Sequence, residues 1–224
     1  MRKLYLSVVA AALTAAPVSA QVCTGFPTVD GQKAITANVG FPDGGKTYTL
    51  AGSVDLIGPF SINGGLGLST IDGIDDKMYH AGANVAYELK GLGFSACPVV
   101  GLSYSRFKVE EEINDGGETI VGEATTSSFD VPLGFGIGQT FAAGSSAQFG
   151  LFAVPQVVIS RTSAEFSAGG ASFDASDTET YFGADIGALF QTGAFFAGGS
   201  VFVSSLEDSD PVFSVNLGML IGRR

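Results

Sequence analysis

The sequence is poor in the residue types that build most catalytic and nucleic-acid-binding sites. It contains no tryptophan, one histidine and two cysteines, and only 15% of its 224 residues are charged. Eleven Lys and Arg residues stand against 22 Asp and Glu residues, which gives a formal net charge of −11. Because nucleic-acid phosphates are bound by clustered basic side chains, this balance argues against nucleic acid as a partner.

Long hydrophobic runs are also missing, apart from one at the N-terminus. Arg2 and Lys3 precede an apolar stretch that ends near Ala16, and the small residues of Val18–Ala20 follow. A basic start, a short apolar stretch and a small-x-small exit are the parts of a secretory signal peptide. The stretch is shorter than the ~20 apolar residues of a membrane-spanning helix. We therefore predict a signal peptide over residues 1–20 and an exported protein.

Glycine and phenylalanine are abundant instead, with 32 and 18 copies, and the mean hydropathy is +0.34. The stretch FDVPLGFGIGQTF, which runs from Phe129 to Phe141, shows how this hydrophobicity is arranged. Large apolar residues alternate with small or polar ones, so one face of an extended strand is apolar and the other is nearly bare. The same alternation recurs about ten times along the chain. Each segment has about the length of a tilted strand that crosses a bilayer.

The connections between these segments alternate between short and long. Tight turns are predicted at Gly58-Pro59 and Thr192-Gly193, and longer polar links at Asp72–Lys77, Glu110–Glu118 and Ser167–Asp177. Short turns on one side and long loops on the other are typical of outer-membrane barrels. We therefore predict an all-β fold: a closed antiparallel up-and-down transmembrane β-barrel of about ten strands over residues 32–224. Both termini are then periplasmic.

A soluble β-sandwich or lipocalin-like barrel is the competing interpretation. Its second face would be solvated and rich in Lys, Glu, Arg and Thr, whereas this chain places Gly, Ser, Asn and Ala there. Glycine weakens a solvated strand without any gain, but small residues suit a crowded barrel interior. Aromatic residues also sort to the ends of the apolar faces, as in interfacial girdles. The predicted girdles are Tyr48, Tyr79, Tyr104, Phe129, Phe182 and Phe213 on the loop side, and Phe60, Tyr87, Phe94, Phe149, Phe190 and Phe195 on the turn side.

At this level of pattern the chain resembles a known family. Residues 32–224, which include the stretch ITANVGFPDGGKTYTLAGSVDL followed by glycine-rich repeats, resemble the small outer-membrane β-barrel proteins of the opacity-porin type. The resemblance implies the fold, a location in the bacterial outer membrane and insertion by the barrel-assembly machinery. It implies no particular activity. Family members often have eight strands, so eight is the alternative strand number. The chain ends in Met219–Arg224 and lacks the usual terminal aromatic residue.

Four acidic residues and the single histidine take the inward phase of the predicted strands. The acids are Asp55, Glu88, Asp130 and Asp185, and the histidine is His80. Buried carboxylates need water or hydrogen-bond donors. One interpretation is a narrow, cation-preferring, porin-like passage. The other is a filled structural barrel whose acids hydrogen-bond to Asn38, Asn63, Asn84, Asn216 and Tyr181.

Enzymatic function is the least favoured interpretation. His80 lies near Asp75 and Asp76, as in barrel enzymes with an Asp/His pair at the rim, but no second acidic pair can be assigned. We therefore predict no catalytic residue, no cofactor and no metal site. The favoured function is a structural or interaction role at the cell surface. Outer-membrane lipid and surface glycolipid are the expected partners. Extended hairpins beyond the membrane, at about Tyr104–Phe129 and Ile159–Phe182, offer strand edges for adhesion or partner contact, and the sequence does not identify the ligand.

The two cysteines allow one disulfide in an oxidising compartment. Cys97 takes the inward phase just after the Lys90–Gly93 turn, and Cys23 precedes the first strand by about ten residues. At about 3.3 Å per residue, the N-terminal segment can reach the barrel mouth. We therefore predict a Cys23–Cys97 bridge, with residues 21–31 as a periplasmic segment or plug.

Overall fold

The structure is a computed structural model that describes residues 33–56, 59–72, 74–115, 118–143, 146–168, 171–206 and 209–222. The predicted signal peptide and the segment 21–31 lie outside these ranges. Ten strands account for nearly all of the described chain. They are β1 (Lys33–Phe41), β2 (Gly45–Asp55), β3 (Phe60–Ile71), β4 (Ile74–Tyr87), β5 (Ser95–Asp115), β6 (Glu118–Ala142), β7 (Ala147–Ala168), β8 (Ala171–Thr192), β9 (Phe195–Ser204) and β10 (Val212–Ile221).

Every strand pairs antiparallel with its neighbours in sequence, and β1 pairs with β10 to close the barrel. The predicted up-and-down barrel of ten strands is therefore confirmed, and the alternative of eight strands is wrong. Lys33 at the start of β1 lies opposite Ile221 at the end of β10, so the first and last strands meet at one rim. We call this rim the turn end, and the opposite rim the extended end.

The two faces of the wall differ as the alternation predicts. Leu50, Leu66 and Leu217 expose 63%, 68% and 64% of their surface on the outside. Inward-facing Ala34 and Asn63 expose 1% and 3%. A continuous exterior of large exposed apolar side chains would be unstable in water, where burial of apolar surface contributes about 25 cal/mol per Å². The exterior therefore faces lipid, and the fold is a transmembrane β-barrel.

The aromatic girdles are also confirmed. All twelve predicted girdle residues are exposed on the outer face. Phe60 and Tyr87, cross-strand partners on β3 and β4, pack edge to face with ring centroids 4.9 Å apart and planes at 67°. No helix among the described residues is long and apolar enough to cross a membrane.

The long polar links are strand for most of their length, as the hairpins predicted beyond the membrane require. Most of Glu110–Glu118 and Ser167–Asp177, and the residues from Ile74 onward in Asp72–Lys77, are strand rather than loop. Strands β5 to β8 contain 21, 25, 22 and 22 residues, against 10 each for β9 and β10. Polar residues continue the pairing because both faces of an extended sheet in water accept them.

Bulky side chains fill part of the lumen, which the sequence analysis did not predict. Phe152, Leu189, Phe196 and Leu220 form a buried apolar cluster with Ala34 on the inner wall of β7–β10 and β1. Glycines on neighbouring strands make room for these rings. A Cβ added at Gly187 would overlap Phe152, and one at Gly218 would overlap Phe196. The inward glycines are thus packing partners of aromatic rings.

An arginine on the lipid face should destabilise the barrel according to depth. Leu217→Arg lies in the middle of β10 and is expected to cost ~2–4 kcal/mol of unfolding free energy, whereas Phe213→Arg at the girdle should cost ~0–1 kcal/mol. Urea unfolding of the folded protein in lipid vesicles measures both free-energy costs. Equal costs at the two depths would contradict the membrane assignment.

A double-mutant cycle tests the packing of glycine against phenylalanine. Gly218→Ala forces Phe196 out of its position and should cost ~1–3 kcal/mol, and this cost should shrink when Phe196→Ala is combined with it. Gly52→Ala is the matched control, because a Cβ there meets nothing nearer than the Ala34 carbonyl oxygen at 3.5 Å. Equal costs at Gly218 and Gly52, or full additivity with Phe196→Ala, would show that the ring does not depend on the glycine.

Candidate functional site

Asp130 of β6 faces the lumen and is held by three serine hydroxyls. Ser128 and Ser160 donate to Oδ1 at 2.9 and 2.5 Å, and Ser103 donates to Oδ2 at 3.1 Å. Ser103 and Ser160 are the cross-strand partners of Asp130 on β5 and β7, so strand register places them on the same inward face. The asparagines named in the filled-barrel interpretation are not among these three donors. The carboxylate is stabilised by neutral donors instead.

The other inward acids lie apart from Asp130. Asp185 of β8 accepts a hydrogen bond from Ser200, and its Oδ1 has no hydrogen-bond partner among the described residues. Asp55 ends β2 and Glu88 follows the last residue of β4, so both lie at the turn end. No cross-strand pair joins two of these four acids. They therefore do not form one site.

His80 of β4 lies in the lumen, as predicted. Its Nε2 is 3.0 Å from Thr49 Oγ1, and its ring lies against the backbone of Gly67, where a Cβ would overlap it. Asn63 donates to Asn84 at 2.8 Å nearby on β3 and β4. These contacts are those of a packed polar lumen. The described residues contain no group of three or more His, Cys, Asp or Glu side chains that could hold a metal ion.

Cys97 of β5 is 1% exposed and packs with Ala86 and Val99 at the turn end. It is not a free thiol. The predicted partner, Cys23, lies outside the described residues, as does the predicted plug. The Cys23–Cys97 bridge therefore stays a prediction.

The extended sheet is the part of β5–β8 beyond the girdle at the extended end. It comprises Phe107–Asp115, Glu118–Ser128, Ser160–Ala168 and Ala171–Tyr181, and its strands stay paired to their tips. Strand β8 reaches eleven residues past Phe182, about 35 Å along the strand. Residues Ser172 to Thr180 are all exposed, so alternate side chains on both faces of the hairpin contact solvent. The sheet is a single layer.

The outer face of the extended sheet is acidic. Glu165 lies directly opposite Asp174, and Glu123 is near them on β6 around a cavity of about 360 Å³. On β5, Lys108 contacts Glu110 at 2.8 Å and Glu123 at 3.0 Å. Hydrogen bonds to Glu110 and Glu123 raise the pKa of Lys108, and the bond from Lys108 lowers the pKa of Glu110. The positive charge of this lysine is therefore already compensated by two glutamates.

The inner face carries apolar side chains at its tip. Phe166 and Phe173 are cross-strand partners and expose 45% and 68% of their surface. Phe107 and Val109 lie on the same face of β5. The sequence analysis did not identify this pair, because it depends on the register of β7 against β8.

The extended sheet has an unpaired edge along β8. Pairing between β8 and β9 stops at Gly183 opposite Ser204. Phe182 marks the boundary, because its carbonyl accepts from the Ser205 N–H at 2.8 Å and its N–H donates to Ser205 Oγ at 3.0 Å. From Ala171 to Tyr181, no described strand lies on that side. An open edge presents unpaired backbone donors and acceptors to any incoming strand.

Comparisons with known proteins find likeness in structure alone. No protein-family model matches the chain, and no curated protein matches it significantly in sequence. The N-terminal β-barrel domain of Pseudomonas aeruginosa OprF is 11% identical with a TM-score of 0.36, covering 85% of this chain and 98% of that one. KdgM porin is 9% identical with a TM-score of 0.42, covering 83% and 98%. The translocator domain of the autotransporter NalP from Neisseria meningitidis is 11% identical with a TM-score of 0.45, covering 88% and 90%.

These proteins are barrels of the general class that the sequence resembles. At such low identities and TM-scores the likeness carries no argument about function. Function is therefore argued below from the geometry of this chain.

The disulfide can be tested by thiol counting. Freshly purified, folded protein should show no alkylatable cysteine by mass spectrometry without reductant, and two after reduction. The bridge would close a loop of 74 residues between Cys23 and Cys97, worth about 4 kcal/mol in the chain-entropy model. Two alkylatable cysteines in unreduced protein would contradict it. Reduced Cys97→Ser protein should unfold as reduced wild type does.

Proposed function

We propose that this protein is a bacterial outer-membrane barrel that contacts an external partner through its extended sheet. In this arrangement both termini and the short turns face the periplasm, and β5–β8 project from the cell surface. The observation that carries the proposal is the open β8 edge from Ala171 to Tyr181, on a single-layer sheet. A strand supplied by the partner would pair with this edge and continue the sheet.

The backbone geometry of β8 defines which residues would bind. In an antiparallel sheet, the N–H and C=O groups of successive residues point to opposite neighbours. Because the backbone groups of Phe182 point toward Ser205, those of Ser176, Thr178 and Thr180 point to the same side, which is open. The Thr178 N–H is bonded to Asp177 Oδ1 at 2.9 Å. An incoming strand therefore meets the free backbone groups of Ser176 and Thr180 on either side of the Thr178 N–H, which is already hydrogen-bonded.

Charge defines the partner further. The segment Ala171–Tyr181 contains Asp174, Asp177 and Glu179 and no Lys or Arg, and Asp174 adjoins the acidic cavity with Glu165. Opposite charges on directly paired residues stabilise a sheet, whereas like charges destabilise it. The edge thus favours an extended basic segment. It disfavours pairing with the same edge of a second copy.

The structure offers less support for a passage or an enzyme. The Phe152–Leu220 cluster occupies part of the lumen, and Asp130 is hydrogen-bonded to three serines. His80 is bonded to Thr49. These contacts favour a filled structural lumen, so we propose neither conductance nor catalysis.

The placement of the sheet can be tested on intact cells. Ser172→Cys should react with a membrane-impermeant maleimide, because it lies near the tip of β8. Lys90→Cys, in an exposed turn at the other rim, should react only after the cells are lysed. Labelling in the reverse pattern would overturn the proposed orientation.

The binding edge can be tested with the purified barrel in detergent and a fluorescent peptide of alternating Lys and Val. The wild type should bind it, and Ser176→Pro should weaken binding at least tenfold by removing an edge N–H without breaking a β7–β8 bond. The same peptide with N-methylated backbone, and an alternating Glu and Val peptide, should not bind. Asp210→Lys is the charge control, because it replaces an acid of the β9–β10 loop and leaves the β8 edge unchanged. This variant should bind the peptide nearly as well as the wild type does. Equal binding by Ser176→Pro would contradict strand addition.

A further inference from the structure

The few basic residues of this acidic chain are unevenly distributed. The described residues contain seven Lys and Arg residues, and five of them are exposed near the extended end. These five are Lys46, Lys77, Arg106, Lys108 and Arg161. In a protein with a net charge of −11, the cations are therefore concentrated near one rim.

Three of these cations lie together on β2, β4 and β5. Thr70 of β3 is the cross-strand partner of both Lys46 and Lys77, so the three residues form one row across the wall. With neighbouring strands about 4.8 Å apart, the two lysine backbones are about 10 Å apart. Arg106 begins the next row, opposite Tyr79. None of the three forms a salt bridge with a described residue, in contrast to Lys108.

A groove lies below Lys46, Lys77 and Arg106, on the same strands and the same outer face. It has a volume of about 660 Å³ and an almost wholly apolar lining. Gly52, Gly64, Ala81 and Ala83 form its floor, and its walls include Leu50, Leu66, Leu102, Tyr104 and Phe129. Cross-strand pairing joins the floor residues Gly52 to Gly64 and Gly64 to Ala83. The floor is therefore one continuous row across three strands.

Backbone packing does not require glycine on this floor. A Cβ at Gly52 would meet nothing nearer than 3.5 Å, and one at Gly64 nothing nearer than 3.4 Å. These are ordinary contacts, unlike the overlap that a Cβ would make at Gly218. The small residues thus leave a groove that a larger side chain could have filled. Tyr48 and Tyr79 separate the groove from the cations, at the level where aromatic rings meet lipid head groups.

We infer that this wall binds a phosphorylated, multiply acylated glycolipid of the surrounding leaflet. Its phosphates would contact Lys46, Lys77 and Arg106, and one acyl chain would lie in the groove. The order of cations, tyrosines and apolar groove down the strands matches the order of phosphate, sugar and acyl chain in such a lipid. Asp43 and Asp72 lie in the adjoining turns, and Asp75 and Asp76 precede Lys77 on β4. The row of Lys46, Thr70 and Lys77 itself contains no acid.

A second copy of the chain fits this wall less well. A two-fold interface through the groove would place the same patch on both subunits, which brings like charges together. A free anion would contact the cations but leave the apolar groove empty. The glycolipid satisfies both features at once. The inference rests on the proposed orientation, which places the extended end at the outer leaflet, and it is independent of strand binding at the β8 edge.

The experiment uses native mass spectrometry of the full mature protein released from detergent with added lipid. The probes are diphosphoryl lipid A, monophosphoryl lipid A and phosphatidylglycerol, each at equal concentration. Wild-type protein should retain diphosphoryl lipid A most, then the monophosphoryl form, then phosphatidylglycerol. The combined variant Lys46→Gln, Lys77→Gln and Arg106→Gln should reduce retention of diphosphoryl lipid A on the order of tenfold or more. Lys33→Gln, an exposed cation at the turn end, is the matched control and should not change it.

The groove is tested separately by Ala83→Leu, which fills the floor and leaves the cations in place. It should reduce retention of both forms of lipid A several-fold, whereas Ala197→Leu, outward on β9, should not. A difference in gel migration between unboiled and boiled samples of each variant shows that its barrel is folded. Retention by the triple variant equal to wild type would overturn the inference. Unchanged retention of lipid A by Ala83→Leu would also overturn it. Equal retention of phosphatidylglycerol and lipid A by the wild-type protein would overturn it as well. Loss of peptide binding at the β8 edge has no bearing on these outcomes.

Discussion

The structure depends on one constraint: inside lipid, each backbone N–H and C=O must find its partner within the protein. Closure of β1 onto β10 meets this constraint for all ten strands. Once the sheet is closed, its two faces must differ completely, because one contacts hydrocarbon and the other a narrow interior. The alternation that is so visible in Phe129–Phe141 is the result. The apolar content of the chain thus serves the outside of the fold rather than a central core.

The interior follows a second rule that closure imposes. A ten-stranded barrel leaves room for side chains but not for large ones at every position. The lumen therefore pairs bulky residues with glycines on adjacent strands, as Phe152 is paired with Gly187 and Phe196 with Gly218. Asp130 is satisfied in the same way, by serines that the register places alongside it. Packing of the lumen therefore requires glycine at positions such as 187 and 218.

Strand number, closure and the inward or outward phase were predictable because each depends on a period of two along a single strand. The girdles were predictable for the same reason. The aromatic side chains of the lumen were not predictable. A ring such as that of Phe196 packs against Gly218 on another strand, and this contact depends on strand register. The extended sheet was only partly predictable. Polar stretches such as Glu110–Glu118 are compatible with a loop or a solvated strand, and pairing with the opposite strand decides between them.

The same constraint explains where this protein can bind. Within the bilayer the sheet has no edge, so recognition there must use side chains on the wall, as with the groove between Leu66 and Leu102. Beyond Phe182, water can satisfy the backbone, and β8 continues without a neighbour. Open edges are possible only outside the bilayer, along this part of β8 and along β5 beyond Arg106. Because β8 is longer than β9, its backbone outside the membrane has no neighbouring strand and can pair with a strand supplied by a partner.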